Sequence, residues 1–278
     1  MTVLELTALL ALGSFAAGML GALTGLGGGI VIVPLLTLGF GVDLRYAIGA
    51  SLISVIATSS GAAAAYVKEG YTNIRIGMLL EIGTTAGAVL GAYLAGFLPT
   101  NVIGILFGMV LLFTAYRQLR PTASAPSKAP PDPLATTLRL NGTYPTDAGL
   151  QPYTVHSVKL GMFIMTIAGA LSGLLGIGSG IVKVLAMDQA MRLPFKVSTT
   201  TSNFMIGVTA AASAGVYLHR GYIDPGIVLP VMLGVLAGAT LGARALTRTN
   251  TRVLRNIFTA VVIIVSLEML YKGIQGAI

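Results

Sequence analysis

The feature that most constrains this chain is a cluster of glycines inside a long apolar run. Residues 3–40 are almost entirely apolar, and about 20 apolar residues suffice for one membrane-spanning helix. At the centre of the run, the stretch 25–29 contains four glycines, each of which costs about 1 kcal/mol relative to alanine inside a helix. The run therefore predicts two helices separated by a break. Broken backbone at membrane depth requires protein or a water-filled cavity to satisfy its polar groups.

The same break occurs a second time in the chain. Residues 176–182 repeat residues 25–31 at an offset of 151 positions, and the matches continue without a gap through the following segments. Repeat-related pairs include Ser51 with Ser202, Tyr66 with Tyr217, and Gly83, Gly87 and Gly91 with Gly234, Gly238 and Gly242. The chain is thus a duplicated unit. Paired interrupted segments in corresponding positions of two halves are a sequence indication of a transporter binding site.

Composition supports a polytopic α-helical membrane protein. Hydrophobic residues make up 55% of the chain and charged residues 9%, which is typical of a membrane protein and not of a soluble globular domain. The N-terminal stretch has Glu5 and no basic residue before Arg45. It therefore lacks the basic start of a signal peptide, and we expect it to form the first membrane helix. The net charge of +8 suits basic cytoplasmic loops and does not require a nucleic-acid partner.

Eight apolar segments and a polar insert divide the chain. The segments are 3–40, 46–67, 75–97 and 101–116 in the first half, and 157–190, 197–218, 225–247 and 253–271 in the second. We predict a first transmembrane repeat at 1–118, a linker at 119–156 and a second transmembrane repeat at 157–278. Alternating residues around Asn141-Gly142 in the linker predict a short β-hairpin.

The positions of the basic residues favour an inverted repeat. If all eight segments cross the membrane, lysine and arginine divide almost evenly between the two sides. If each broken segment is a re-entrant hairpin and three helices cross per half, nearly all of them share one side, and the exceptions are Arg45, Arg220 and Lys272. That asymmetry is what the positive-inside rule expects. An odd number of crossings also inverts the second half, so we predict outside termini and a cytoplasmic linker.

The glycines spaced four apart form one smooth face on each of two helices. Gly83, Gly87 and Gly91 fall on one face of the third segment, where another backbone can approach closely. The partner helix comes from the same chain or from a second copy in a homodimer, and the sequence leaves both open.

Two facing helix breaks would place backbone N–H groups and positive helix ends near the membrane centre. Such ends bind anions, and glycine lets the backbone come close to a ligand. The alternative is tight helix packing without a ligand. The candidate anion site comprises Gly27, Gly28 and Gly29 in the first half and Gly178, Ser179 and Gly180 in the second.

Several polar residues near the breaks extend this hypothesis. Lys183 lies three residues past the second break, and a cation at membrane depth usually marks a pathway; alternatively it reaches the cytoplasmic face. Ser51, Thr200, Ser202 and Asn203 could coordinate anion oxygens or make interhelical hydrogen bonds. Glu81 could carry a coupling proton, but its place about two turns into its segment favours a side chain that reaches the interface.

Enzymatic readings find little support. The glycines at 25–29 lack the strand–turn–helix context of a nucleotide-binding loop. Ser179 and His219 could suggest an intramembrane hydrolase, but Gly28 occupies the position equivalent to Ser179. The chain has no cysteine and no metal-ligand spacing. We therefore expect neither an enzyme nor a cofactor.

The residues around the first break resemble a known family. The stretch Gly25-Leu26-Gly27-Gly28-Gly29-Ile30-Val31-Ile32-Val33-Pro34, followed by Ala47-Ile48-Gly49-Ala50-Ser51-Leu52, is similar to the TauE/SafE family of membrane proteins, also called the toluene-sulfonate uptake permease family. The second half repeats the pattern, with Ser179 in place of the middle glycine and Leu185 in place of the proline. The half-sites are therefore unequal, and substrate selection could rest on the second.

The resemblance implies a secondary transporter in the bacterial inner membrane. Its expected substrate is a small sulfur-containing anion, such as sulfite, sulfoacetate or another organosulfonate, and its expected direction is export. Uptake of a similar anion, an anion channel and an intramembrane hydrolase are the alternatives. The expected partners are the small anion and the lipid bilayer.

Overall fold

The computed structural model describes residues 2–24, 29–68, 70–119, 132–146, 149–246 and 251–278. The first half consists of helices α1 (Val3–Thr24), α2 (Gly29–Pro34), α3 (Leu44–Lys68), α4 (Ile74–Ala95) and α5 (Thr100–Leu119). The linker contributes α6 (Pro133–Thr137) and strands β1 (Gly142–Thr146) and β2 (Gly149–Tyr153). The second half consists of α7 (Val158–Leu175), α8 (Gly180–Leu185), α9 (Phe195–His219), α10 (Pro225–Leu246) and α11 (Thr251–Gln275).

The second glycine cluster interrupts the helix. After α7, Gly176 and Gly178 each adopt a φ of +70°, and Ser179 adopts +44°, which is the left-handed region that ends a right-handed helix. The two short helices α2 and α8 then continue into π-helical turns at repeat-equivalent positions, Leu35–Gly39 and Ala186–Ala190. In the first half, Gly27 and Gly28 lie outside the described residues.

Six helices in the described part of the chain are long and apolar enough to cross a membrane: α1, α4, α5, α7, α10 and α11. The sequence prediction also had three crossing helices per half, at 46–67, 75–97 and 101–116 and their repeat equivalents; α4, α5, α10 and α11 are among the six, and so are α1 and α7, the first arms of the broken segments. The arm α1 has 22 residues, about 33 Å of helix at 1.5 Å per residue.

Helices of one half pack against helices of the other half at glycine-lined contacts. Helix α1 packs on α10, and α4 packs on α7, which is the repeat-related pairing. A Cβ atom on Gly87 would overlap the carbonyl oxygen of Thr166, and one on Gly238 would overlap that of Phe15. Phe15 and Thr166 are themselves repeat equivalents. The glycine faces at these positions therefore contact helices of the same chain, where backbones approach closely.

The centre of the bundle is formed by α3 and α9, which pack against each other. Helix α2 packs on α3, and α8 packs on α9, so both short helices are attached to the central pair. Helices α5 and α11 pack together elsewhere in the bundle. This arrangement brings the polar residues of α3 and α9 next to both short helices.

A two-stranded antiparallel hairpin is present in the linker, but its turn is not where the sequence placed it. Thr146 pairs with Gly149, whereas Gly142 pairs with Tyr153 at the open end. Asn141 lies just before the first strand, where its side chain accepts a hydrogen bond from the backbone N–H of Val155 at 2.9 Å. Because its amide serves this long-range contact, the Asn-Gly pair is not used as a turn.

Asp132 anchors the linker to the second half. Its carboxylate caps α6 at the backbone N–H of Leu134 and also accepts the N–H of Val158, the first residue of α7, each at 2.9 Å. These two hydrogen bonds stabilise the charged form and lower the pKa of the Asp132 carboxyl.

Asn73 anchors the linker to the first half. Its side chain caps α4 at the N–H of Ile76 and donates to the carbonyl of Leu140 at 3.0 Å and the hydroxyl of Tyr153 at 2.7 Å. Its backbone N–H donates to Thr201 Oγ1 on α9 at 3.0 Å. One residue therefore connects α4, α9 and the linker.

Candidate functional site

The second helix break and the start of α2 meet at a serine of α3. The Ser51 hydroxyl donates to the carbonyl oxygen of Gly176 at 2.8 Å and lies 3.3 Å from that of Gly29. Its repeat equivalent Ser202, on α9, donates to the carbonyl oxygen of Gly180 at 3.2 Å. Each serine thus holds the start of the short helix in its own half, and Ser51 also reaches the break of the other half.

Two apolar side chains pack directly against the breaks. Val55 of α3 and Ile206 of α9 are repeat equivalents. A Cβ atom on Gly178 would lie 3.0 Å from Ile206 and 3.4 Å from Val55, and one on Gly29 would lie 2.8 Å from Val55. The glycines are therefore needed for close approach, and at Gly178 also for a positive φ.

Ser179 lies at the break itself. Its side chain is buried, and among the described residues its hydroxyl has no hydrogen-bond partner. A buried hydroxyl without a partner costs about 1–3 kcal/mol, so Ser179 offers an unused polar group at the break. His219, the other member of the suggested hydrolase pair, is exposed at the end of α9, and no hydrogen bond joins the two in the described part of the chain.

Lys183 is fully buried, with no exposed surface. Its ammonium group donates a hydrogen bond to the Thr209 hydroxyl of α9 and lies 4.0 Å from Glu81 Oε2. The alternative in which this lysine extends to the membrane surface is wrong, because its charge is turned inward to a partner from another helix.

Glu81 was expected to reach the interface, and this interpretation is also wrong. The residue is only 9% exposed, and its Oε1 accepts hydrogen bonds from Thr209 at 2.6 Å and Thr85 at 3.1 Å. An unpaired buried carboxylate would be costly, and the ammonium of Lys183 compensates its charge. Lys183, Thr209 and Glu81, which we call the charged triad, connect α8, α9 and α4.

Sequence reasoning missed Thr209 and the pairing of Glu81 with Lys183. A usable indication did exist, because intramembrane charges are rare and usually pair with one another. Lys183 and Glu81 are two charges of opposite sign within the predicted segments. Their separation in the chain gave no indication of contact, since they lie on helices of different halves.

The remaining predicted residues lie on α9 near the break. Thr200 donates to the carbonyl of Lys196 at 2.9 Å, one turn earlier in its own helix. Asn203 is half-buried and follows Ser202 directly. Among the described residues, no group of three or more histidine or acidic side chains is arranged to hold a metal ion.

Comparison with known proteins gives one consistent family. The model of the sulfite exporter TauE/SafE family matches residues 10–269. The probable membrane transporter protein YunE of Bacillus subtilis is 31% identical, over 93% of this chain and 95% of that protein. The probable membrane transporter protein YdhB of the same organism is 28% identical over 83% and 86%. A probable membrane transporter protein of Xylella fastidiosa is 26% identical over 93% and 91%. No solved structure matches the chain.

Proposed function

This chain belongs to the sulfite exporter TauE/SafE family, and we propose that it is a secondary transporter that exports a small sulfur-containing anion by alternating access. The family name supports sulfite, sulfoacetate or another organosulfonate as substrate. The relatives are probable membrane transporters, which supports membrane transport as the general activity. The chain is a multi-pass membrane protein, and the bacterial inner membrane is its expected location.

The observation that carries the proposal is the double contact of Ser51 with the break of the second half and with Gly29, the first residue of α2. It brings two interrupted helices to one place in the bundle, where transporters commonly bind substrate. The proposed site is lined by Gly29, Ser51, Gly178, Ser179, Gly180, Lys183 and Ser202, with Thr200 and Asn203 beside it and Gly27 and Gly28 added by the repeat. The Ser179 hydroxyl, which has no hydrogen-bond partner among the described residues, and the Lys183 ammonium supply hydrogen-bond donors and the positive charge that an anion requires.

An inverted repeat would supply the alternating movement. Each first helix packs against a helix of the other half, α1 against α10 and α7 against α4. The central helices α3 and α9 place Val55 and Ile206 at the breaks. Rocking one half against the other would open the site to one side of the membrane at a time. In this mechanism Val55 and Ile206 are the apolar residues that move away from the breaks, one on each side in turn.

Counterflow in liposomes tests the transport proposal. Purified protein is reconstituted into vesicles loaded with unlabelled sulfite, sulfoacetate or isethionate, and uptake of the same labelled anion is measured. An alternating-access transporter gives transient accumulation of label that requires the internal anion. A channel gives anion conductance without counterflow, and a hydrolase turns over a substrate. Either result, or no counterflow with any of the anions, overturns the proposal. Opposed gradients then distinguish export from uptake.

Single cysteines test the inverted topology, because the chain contains no native cysteine. Thr137 in the linker and Gln275 at the C-terminal end are both exposed. In intact cells a membrane-impermeant maleimide should label Gln275→Cys and leave Thr137→Cys unlabelled until the cells are permeabilised. Labelling of both from the same side would refute outside termini combined with a cytoplasmic linker.

A further inference from the structure

The charged triad places a cation and a carboxylate together inside the bundle, next to the helix breaks. Lys183 comes from α8, which begins at the second break, and Glu81 comes from α4 of the other half. Their charged atoms lie 4.0 Å apart, and Thr209 bridges them with hydrogen bonds to both. In this conformation the positive charge proposed to attract an anion is already neutralised by a carboxylate of the protein.

Charge balance then restricts what can bind. Lys183 and Glu81 together carry no net charge, so a monovalent anion entering beside Lys183 would leave one uncompensated negative charge in a dry environment. Uncompensated buried charges are strongly unfavourable. Adding one proton to Glu81 removes that charge, because a protonated carboxyl is neutral and leaves the ammonium to the anion. The substrate and the Glu81 carboxylate therefore compete for one ammonium group.

We propose that Glu81 takes up one proton for each monovalent anion that binds at Lys183, so that proton and anion move through the protein together. This inference rests on the proposed function. No covalent bond is made, and the proton is bound and released at the Glu81 carboxylate. The movement is electroneutral, so the gradients of anion and proton set its direction. Export therefore requires an outward anion gradient that exceeds the inward proton gradient, which on its own favours entry.

The other titratable groups around α4 are less well placed than Glu81 to take up this proton. Among the described residues of the helices packed on α4, Lys159 of α7 and Lys196 and His219 of α9 are exposed near helix ends. Asp188, in the π-helical turn after α8, is buried and has a partner of its own. The described groups in direct contact with the Glu81 carboxylate are Lys183, Thr209 and Thr85.

Proton movement in vesicles tests the inference. Vesicles that contain the protein and the pH dye pyranine are exposed to an inward gradient of isethionate, a monovalent sulfonate whose charge is fixed across the working pH range. The parent protein should acidify the interior as the anion enters. Its apparent Kd for isethionate should rise with pH, by up to tenfold for each pH unit, because binding consumes a proton.

Two variants make the test specific. Glu81→Gln keeps the hydrogen-bonding shape but cannot take up the proton, so it should bind isethionate independently of pH between about 5.5 and 7 and acidify the vesicles at least tenfold less per anion. Glu268→Gln removes the carboxylate of an exposed ion pair, 3.8 Å from Lys272. It should behave as the parent protein in both measurements.

The outcomes separate this inference from the proposed function. Absence of isethionate counterflow in the parent protein would overturn the transport proposal with this probe, and the coupling with it. Counterflow without acidification, or with an affinity independent of pH, would overturn proton coupling alone. Coupling that persists in Glu81→Gln would place the proton on another residue. The pH dependence of the parent protein decides the matter even if Glu81→Gln does not fold.

Discussion

The two half-sites share a scaffold but differ in charge. Ser51 and Ser202 each hold the first carbonyl of their own short helix, and the same residue type, threonine, stands at the equivalent positions 58 and 209. Where the second half-site has Lys183, the first has Ile32, which is also fully buried. The position equivalent to Glu81 is Met232. Two positions therefore convert an apolar arrangement into a charged one.

The threonines show how one scaffold is used in two ways. Thr58 donates to the carbonyl of Ser54 in its own helix at 3.0 Å, whereas Thr209 joins Lys183 to Glu81. A buried ion pair is generally no more stabilising than well-packed apolar residues of similar volume. The first half-site demonstrates that this fold accepts the apolar version. The charged version is therefore best explained by function.

Removing one charge of the pair should have the largest effect. Lys183→Met leaves Glu81 without its counter-charge, and breaking a buried ion pair in this way costs about 3–5 kcal/mol. The free energy of unfolding, measured by circular dichroism during denaturant titration in detergent micelles, should fall by that amount. Transport should be lost as well.

A double variant that gives the second half-site the apolar residues of the first is the matched control for Lys183→Met. Lys183→Ile combined with Glu81→Met places both apolar residues in the second half-site, and stability should return to within about 1 kcal/mol of the parent because no unpaired charge remains. Transport should remain absent. A double variant that still transported the anion would show that the two half-sites are functionally equivalent and that the charged triad is structural.

The threonine pair should give a smaller and equally selective effect. Thr209→Val removes the hydroxyl that bonds both charged groups, and a hydrogen bond to a charged group contributes about 1.5–3 kcal/mol. Thr58→Val removes a hydroxyl that bonds only within its own helix, so stability should change by about 0.5 kcal/mol or less. Equal losses in the two variants, measured by the same denaturant titration, would mean that the bridge between Lys183 and Glu81 contributes nothing.

Much of the architecture could be predicted from glycine positions alone. The breaks, the duplication and the close helix faces follow from what glycine does to a helix and to helix packing, and these effects are local or periodic. The family was also evident from Gly25 to Pro34. Which helices are long enough to cross was harder, because hydropathy alone did not separate the long arm α1 from the short helix α2.

The charged triad was harder to predict because it is neither local nor repeated, and the rarity of intramembrane charges was its one indication. Glu81 and Lys183 lie on different halves, and their repeat equivalents Met232 and Ile32 carry no charge, so the duplication gave no indication of their contact. Thr209 resembles any threonine that bonds its own helix, as it also does at 3.0 Å to Met205. Only the packing of α4 and α8 against α9 brings the three together.

The smallest predicted effect concerns Ser179, where the two breaks also differ, since Gly28 is its equivalent. Ser179→Gly removes a left-handed non-glycine residue, which costs about 1–2 kcal/mol, and a buried hydroxyl that has no partner in the described part of the chain. Against this, glycine loses about 0.5–1 kcal/mol more conformational freedom on folding. The variant should therefore be more stable than the parent by at least about 1 kcal/mol. If the hydroxyl bonds the substrate, anion affinity should fall about fivefold, the equivalent of one neutral hydrogen bond.

If a variant gains stability and loses anion affinity, the replaced side chain has a polar group that is left without a hydrogen bond in the free protein and bonds the ligand in the complex. Ser14 supplies the control, because its hydroxyl on α1 is likewise buried without a partner among the described residues. Ser14→Ala should gain stability without any change in anion affinity. Binding is measured by isothermal titration with isethionate, and unfolding by denaturant titration of the same preparations. If Ser179→Gly binds as tightly as the parent, the two breaks are equivalent for the ligand, and Lys183 with the paired serines accounts for the selectivity of the second half.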